Sequence, residues 1–583
     1  MRLVQLEPAN SGQQGDRVYR TVQPCRALAT LPDTHVVTGT WLSRAARTAA
    51  AHADVLVLCK VVDPDLLPLV RQRRKRGLVT VFEINDDFTD IQPWNTTAAF
   101  YAQPENRSLV FQLARISDAL QFSSPGLSSK FGSLNRRTLL LPNQLWSVGP
   151  HKPRTDKDWV TIGWGGSLGH QEDLKAAIPA LRAVLDKRPR ARVAIMGDPR
   201  LRAMFAWAPG ERFSFTRTGS LAAYQAFLGT LDIGVAPLLD TPFNRGRSDV
   251  KRIEYAAHGV VAVCADLVPY HASVRTWDNG ALFANAEELE AVLLRLVDEP
   301  ALRTEIAAHA HAQVSGQRLQ ANHAADQRAF YDTLGPDPSQ ADAEGFSAIF
   351  QALTPDPLVE TYRECTPTKA EQHLYNGLLS QGNRKQAKRD FTAACRADPH
   401  NYLAHMHLGR MNTGKAAQRS FERALSQAPE SPGTHYLRAL SHMDSGHADA
   451  ALDDLSAAVA VAPEYAPAWT RKGALLEQRG QLGEAQAAYA SGLEANPDYG
   501  VAALALASLQ MRQREFAPAT RLLESHQEAC KDDHRYWMLL GQLALLQRNG
   551  PAAATALARA KQLRPDVAAI AELQSKAQAL TSR

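Results

Sequence analysis

A proline that returns at a fixed interval constrains this chain more than any other feature. Pro429, Pro463 and Pro497 lie 34 residues apart, and Pro565 falls two periods further on, with Lys531 at the skipped position. Small residues recur between them: Gly473 and Gly541, then Ala451, Ala485 and Ala553. Each of those alanines has a bulky residue four positions on, at Leu455, Tyr489 and Leu557. Small residues let two helices cross closely, and the proline stops the second helix of each pair. One such helical hairpin cannot bury its own apolar face, so copies must stack on a shared core. Residues 366–583 are therefore expected to form an all-α solenoid of six helix pairs with a capping helix from 566. Pro399 precedes Pro429 by only 30 residues, which should abbreviate a helix there.

The unit Trp469-x-x-Lys472-Gly473-x-x-Leu476, Ala485-x-x-x-Tyr489, Pro497 resembles the tetratricopeptide repeat. The resemblance implies a concave groove suited to an extended peptide or a partner helix, hence a protein acceptor or an assembly partner. A solenoid that only braces the chain, or drives self-association, is the competing reading. Gly335 to Ser339, with two prolines, marks the start of a linker expected over 336–365.

Before residue 336 the pattern is that of an α/β protein. Apolar runs at 2–6, 54–59, 78–84, 119–123 and 138–141 alternate with helical stretches, which predicts a parallel sheet over a first domain, 1–152. A second set at 159–163, 192–196, 213–217, 233–239 and 260–264 predicts another over 153–335. Polar residues at the carboxyl ends of parallel strands line the ligand crevice. In the first domain these are the loop from Gly12 through Gly15 to Tyr19-Arg20, and Asp86-Asp87. A helix cap or turn is the competing reading of the two aspartates.

In the second domain Gly163-Trp-Gly165-Gly166-Ser167-Leu-Gly-His170 follows the first strand, and small residues there admit an oxyanion to the backbone. After the run at 233–239 comes a polar loop with Pro242, Asn244 and Gly246, then a helix capped by Ser248 or Asp249 and closed by Gly259. Arg245, Arg247, Ser248 and Lys251 crowd its start, and Glu254 lies one turn on, on the same face as Lys251. Free N–H groups, a hydroxyl and cations at a helix N-terminus suit a phosphate. The carboxylate one turn deeper suits the vicinal hydroxyls of a ribose.

These motifs resemble the nucleotide-sugar site of group 1 (family 4-like) glycosyltransferases of the GT-B fold. The matching residues are Pro237-Leu-Leu, Phe243-Asn244, Ser248-x-x-Lys251-x-x-Glu254-Tyr255-Ala-Ala-x-Gly259 and the strand after it. Many members carry Glu-x7-Glu; the second matches Glu254 and the first falls on Gly246. The resemblance implies two Rossmann-like domains and a nucleotide-diphosphate sugar as donor substrate, with no cofactor and no metal. It implies retention of anomeric configuration. Lys251 and Arg247, with the backbone of Gly165 and Gly166, would steady the leaving diphosphate, and Glu254 would hold the ribose. Gly165, Gly166, Ser167, His170, Asn244 and Ser248 complete the expected donor site. Asp86 and Asp87 match an acidic pair and join Lys251 and Arg247 as catalytic candidates. A non-catalytic repeat scaffold with a degenerate transferase half is the alternative.

A net charge of +5 is too mild to argue for nucleic acid. The six cysteines are scattered without metal-ligand spacing, which fits buried thiols in a reducing compartment. The start, MRLVQLEPANSGQQGDR, has no long apolar core, and no apolar run reaches membrane-spanning length, so a cytoplasmic location is expected. Arg71 to Arg76 is a basic run at a helix end; contact with an anionic membrane surface or an acidic partner is the minority reading.

Overall fold

The computed structural model describes residues 1–8, 14–95, 97–151, 158–339 and 341–581. The chain divides into two compact units. One holds residues 1–61, 73–101 and 117–366, the other residues 62–72, 102–116 and 367–583.

The first unit is built on two parallel sheets. The strands of the first are β1 (Arg2–Glu7), β2 (His35–Thr40), β3 (Val55–Cys59), β4 (Val79–Ile84), β5 (Ala119–Phe122) and β6 (Thr138–Leu140). The second sheet comprises β7 (Val160–Gly165), β8 (Ala191–Gly197), β9 (Phe213–Arg217), β10 (Ile233–Ala236), β11 (Val261–Ala265) and β12 (Ala281–Phe283). A last strand, β13 (Tyr362–Glu364), returns to the first sheet. The orders are β13-β2-β1-β3-β4-β5-β6 and β12-β11-β10-β7-β8-β9. Runs such as Val55–Cys59 and Val261–Ala265 are buried throughout, as strands covered on both faces must be. Gly234 lets the helix Val250–Ala257 close on the second sheet, since a Cβ there would lie 2.4 Å from the Tyr255 ring.

Three expectations need correction. Residues 336–365 are not a bare linker: they carry the helix Ala343–Ala352 and β13, which pairs along β2 and covers the sheet edge. The Tyr362 hydroxyl and Thr38 Oγ1 are 2.8 Å apart beneath it. The helix Ala321–Thr333, within the second expected domain, packs on the first sheet, where buried Tyr331 donates to Gln121 Oε1 (2.7 Å). The helix expected to start at Tyr19-Arg20 is present but begins earlier, at Gln14. Gln14–Asp16 leads through a π-helical turn, Arg17–Val22, into Gln23–Ala29, while Gly12 lies outside the described residues.

The second unit carries six antiparallel helix pairs among its described residues, from Lys369–Leu379 with Arg384–Ala397 to His534–Leu546 with Gly550–Leu563, followed by Ala568–Thr581. Tyr402–Met411 has 10 residues against 13 in Pro432–Asp444, which absorbs the short period. At Gly473 a Cβ would meet the Tyr489 ring at 2.6 Å, so the small residue is what lets these paired helices cross. The same unit includes residues 62–72 and 102–116, held at the turns between repeats. Ser431 donates to Asp65 (2.8 Å), Arg71 pairs with Glu464 (2.9 Å), and Asn496 Nδ2 donates to the Ser108 hydroxyl (2.8 Å). Arg115 donates to Asn496 Oδ1 (2.8 Å) and pairs with Asp498. Much of the basic run at 71–76 is thus engaged: besides Arg71, buried Arg73 donates to the carbonyls of Ala53 and Val79, and Arg74 pairs with Asp118. Among the described residues no helix is long and apolar enough to cross a membrane.

Candidate functional site

In the second sheet the chain reverses its winding between β7 and β10, so the loops after those two strands open into one crevice. The first brings Gly165 to His170, the second Leu239 to Asp249. The helix Val250–Ala257 starts there. Asp249 sits at its N-cap, yet no side chain caps the helix. Arg318 draws the Asp249 carboxylate away with two bonds of 2.6 and 2.9 Å. Ser248 is also engaged elsewhere, accepting from Asn143 Nδ2 at 2.8 Å. The expected cap is therefore absent, and the first N–H groups of this helix lack a side-chain acceptor.

Lys251 and Glu254 share a face of this helix, as their spacing predicts. Lys251 Nζ donates to the Tyr224 hydroxyl (2.7 Å) and to the Gly165 carbonyl, and stands 4.0 Å from Glu254. Burial pushes its ammonium below the ordinary lysine range, with Glu254 pulling the other way. Glu254 is buried and accepts from two phenols, Tyr19 on Oε1 (2.7 Å) and Tyr224 on Oε2 (2.9 Å). Burial, and then the Glu254 charge, raise both phenols well above their ordinary value, so both remain donors. A carboxylate has about four lone-pair directions, so two are left for a ligand.

Across the cleft Asp86 accepts from Arg247 Nη1 (2.9 Å) and from Lys60 Nζ (2.6 Å). Burial pushes its carboxyl up, but Lys60 and Arg247 outweigh that and hold it below the usual range. Arg247 also lies over the Phe243 ring at 4.5 Å. Asp87 has a different role. One oxygen accepts from the Thr89 and Asp90 N–H groups (2.8 and 3.2 Å) and the other pairs with Lys130, as in a capped turn. Its carboxylate is buried and engaged with Lys130 and this turn rather than with Arg247 or Lys251.

Other expected residues also hold the loops. The Gly166 N–H donates to Met196 O (3.0 Å), so it is not the free N–H the sequence suggested, and Gly165 offers its carbonyl to Lys251. Asn244 is buried, donating to Asp173 (2.9 Å) and Leu239 O (2.9 Å). His170 bonds the other Asp173 oxygen at 2.8 Å, and burial lowers its pKa against the pull of that carboxylate. Asp173 thereby ties both loops together. Ser167 is exposed at the start of the turn Leu168–His170. Gly246 presents its carbonyl to Ser124 (2.6 Å). Neither Tyr224 nor Lys60 is marked by any motif or spacing in the sequence. Among the described residues no three His, Cys, Asp or Glu side chains gather as a metal set.

Residues 160–299, which supply Lys251, Glu254 and both crevice loops, match the family model of group 1 glycosyl transferases. The chain carries a group 1 glycosyltransferase domain. Tetratricopeptide repeat models match 376–432 and 436–500, and another matches 476–543. Curated proteins give no match. Among solved structures, the chain is similar to HepE from Anabaena in complex with UDP and glucose, at 12% identity and a TM-score of 0.43, covering 57% of this chain and 100% of that one. It is similar to sucrose-phosphate synthase from Thermosynechococcus elongatus, at 14% identity and a TM-score of 0.43, covering 57% and 99%. Pseudomonas aeruginosa PilF is similar at 22% identity and a TM-score of 0.32, covering 36% of this chain and 97% of that one.

Proposed function

We propose that this glycosyltransferase moves a sugar from a nucleoside-diphosphate donor to an acceptor, with retention and without a metal ion. The observation that carries the reading is the uncapped start of the helix Val250–Ala257, flanked by Arg247 and Lys251 inside the matched domain. Bare N–H groups and two cations are what a leaving diphosphate needs where its charge develops. Glu254, already fixed by two phenols, keeps lone pairs for the ribose hydroxyls. Arg247 and Lys251 supply the positive charge that a divalent ion would otherwise bring. Retention rests on the family resemblance.

The repeats suit recruitment of a protein, as acceptor or as partner. Tethering raises the local acceptor concentration at the cleft without new chemistry. A thermal-shift screen of nucleotide sugars, followed by mass spectrometry of products, tests the reading. A single class of donor should raise the melting temperature and be consumed, and NMR of the product should show the donor's anomeric configuration. Failure of every nucleotide sugar to bind would overturn it.

A further inference from the structure

The first sheet reverses its winding between β1 and β3, and Lys60 is the residue that follows β3. Its backbone has φ of +56°, a region that residues with side chains rarely adopt. Its side chain is 13% exposed, and the ammonium sits between Asp16 (2.7 Å) and Asp86 (2.6 Å). The second Asp86 oxygen takes Arg247. One carboxylate therefore bridges a lysine of the first Rossmann-like domain and an arginine of the second. Arg247 Nε is buried and has no hydrogen-bond partner, so this guanidinium has unused donor capacity beside the uncapped helix start. The charged and titratable groups around Asp86 are Lys60, Arg247 and His170, with Asp16 and Tyr101 beyond Lys60.

We propose that Asp86 is an internal anion occupying the place of the donor's diphosphate on Arg247, and that Lys60 is the positioning residue that anchors it. The inference rests on the donor site proposed above. An incoming diphosphate takes Arg247 from Asp86 and gains Lys251 and the helix N–H groups besides. Asp86 is not stranded by the exchange, because Lys60 keeps it paired. A lone monoanion brings less charge to that competition, so the arrangement favours a diphosphate. The Lys60–Asp86 pair holds the carboxylate ionised at neutral pH, which keeps the competitor in place until the ligand arrives.

The test is titration calorimetry of the full chain with inorganic pyrophosphate at constant pH and ionic strength. Asp86→Asn keeps the side chain's shape and removes its charge, and Lys60 retains Asp16. Pyrophosphate should bind this variant about fivefold tighter or more, the worth of a modest ion pair. Asp86→Ala should gain similarly, and melting temperatures report whether each variant folds. The gain should vanish when Arg247→Met is present in both chains of the comparison. Adding Lys60→Met to Asp86→Asn should change affinity little, because Lys60 acts through the carboxylate. A large further loss there would make Lys60 a direct ligand and overturn its positioning role. Equal or weaker binding by both Asp86 variants would overturn the internal anion. Absence of pyrophosphate binding in every chain would overturn the donor site itself and this inference with it.

Discussion

Replacing Glu254 separates binding from architecture. The side chain accepts from buried Tyr19 at 2.7 Å and half-buried Tyr224 at 2.9 Å. A hydrogen bond to a charged group contributes about 1.5–3 kcal/mol and a neutral one about 0.5–1.5 kcal/mol. Glu254→Gln keeps the shape and, by rotation of one hydroxyl, keeps both bonds in neutral form. It should cost roughly 2 kcal/mol across the pair. Glu254→Ala leaves two hydroxyls without an acceptor, at about 1–3 kcal/mol for buried Tyr19 and less for Tyr224, so roughly 2–4 kcal/mol in all. Against a typical domain stability of about 5–15 kcal/mol, both variants fold. A charge-assisted bond from a ribose hydroxyl should be lost in either, weakening nucleoside-diphosphate binding by about tenfold. Calorimetric unfolding and calorimetric binding measure the two effects separately. If Glu254→Gln binds every nucleoside diphosphate as the unaltered chain does, Glu254 does not hold the ribose.

Arg247→Met and Lys251→Met should each slow single-turnover transfer, with about 3–4 kcal/mol of barrier at stake per lost donor; unchanged rates in both would remove them from the diphosphate site. Turnover should survive EDTA, and a loss restored by magnesium or manganese would promote Asp86 and Asp87 to a metal site. His407, stacked on Phe391 at 5.3 Å, has its pKa lowered to about 4 by burial. Its neutral form is favoured in the folded repeats, so its contribution to stability is complete above the unfolded value of about 6.5 and lost as pH falls towards 4. Denaturant midpoints between pH 7 and 4.5 should therefore fall less in His407→Phe than in the unaltered chain; parallel curves would refute that assignment.

The periodic parts of this molecule were readable in its sequence, because they rest on local rules. Prolines spaced by 34 residues marked the helix pairs, and apolar runs such as 54–59 and 260–264 marked buried strands to within a residue. Lys251 and Glu254 were legible because three residues along a helix is one face. Strand β2 was not: His35-Val-Val-Thr-Gly39-Thr40 is interrupted by glycine and threonine. β13 has three residues and is a strand only because the edge of β2 is available to it. Asp86 and Asp87 look alike in sequence, yet one faces Arg247 and the other caps a turn, which tertiary contacts alone decide. Lys60 and Tyr224 are isolated polar residues, at a strand end and in a helix, and only partners distant in sequence distinguish them.

The one departure from the family pattern, Gly246, has a physical setting. Gly126, in the helix Pro125–Phe131 of the first domain, could carry no side chain: its Cβ would lie 2.1 Å from the Arg245 carbonyl and 3.3 Å from the Gly246 Cα. The backbones of the two Rossmann-like domains thus meet at a pair of glycines, and Ser124 donates to the Gly246 carbonyl beside them. A Cβ at Gly246 would in turn stand 3.1 Å from the end of the Leu127 side chain, a tight contact that a shift of a few tenths of an ångström in that side chain would relieve. Asp86 of the first domain brings a carboxylate to Arg247, the next residue along, while Asp240 in the loop pairs with Arg245. A carboxylate on the second domain's own loop would move with the donor site. One presented from the first domain reaches Arg247 from the opposite wall of the cleft, as Asp86 does.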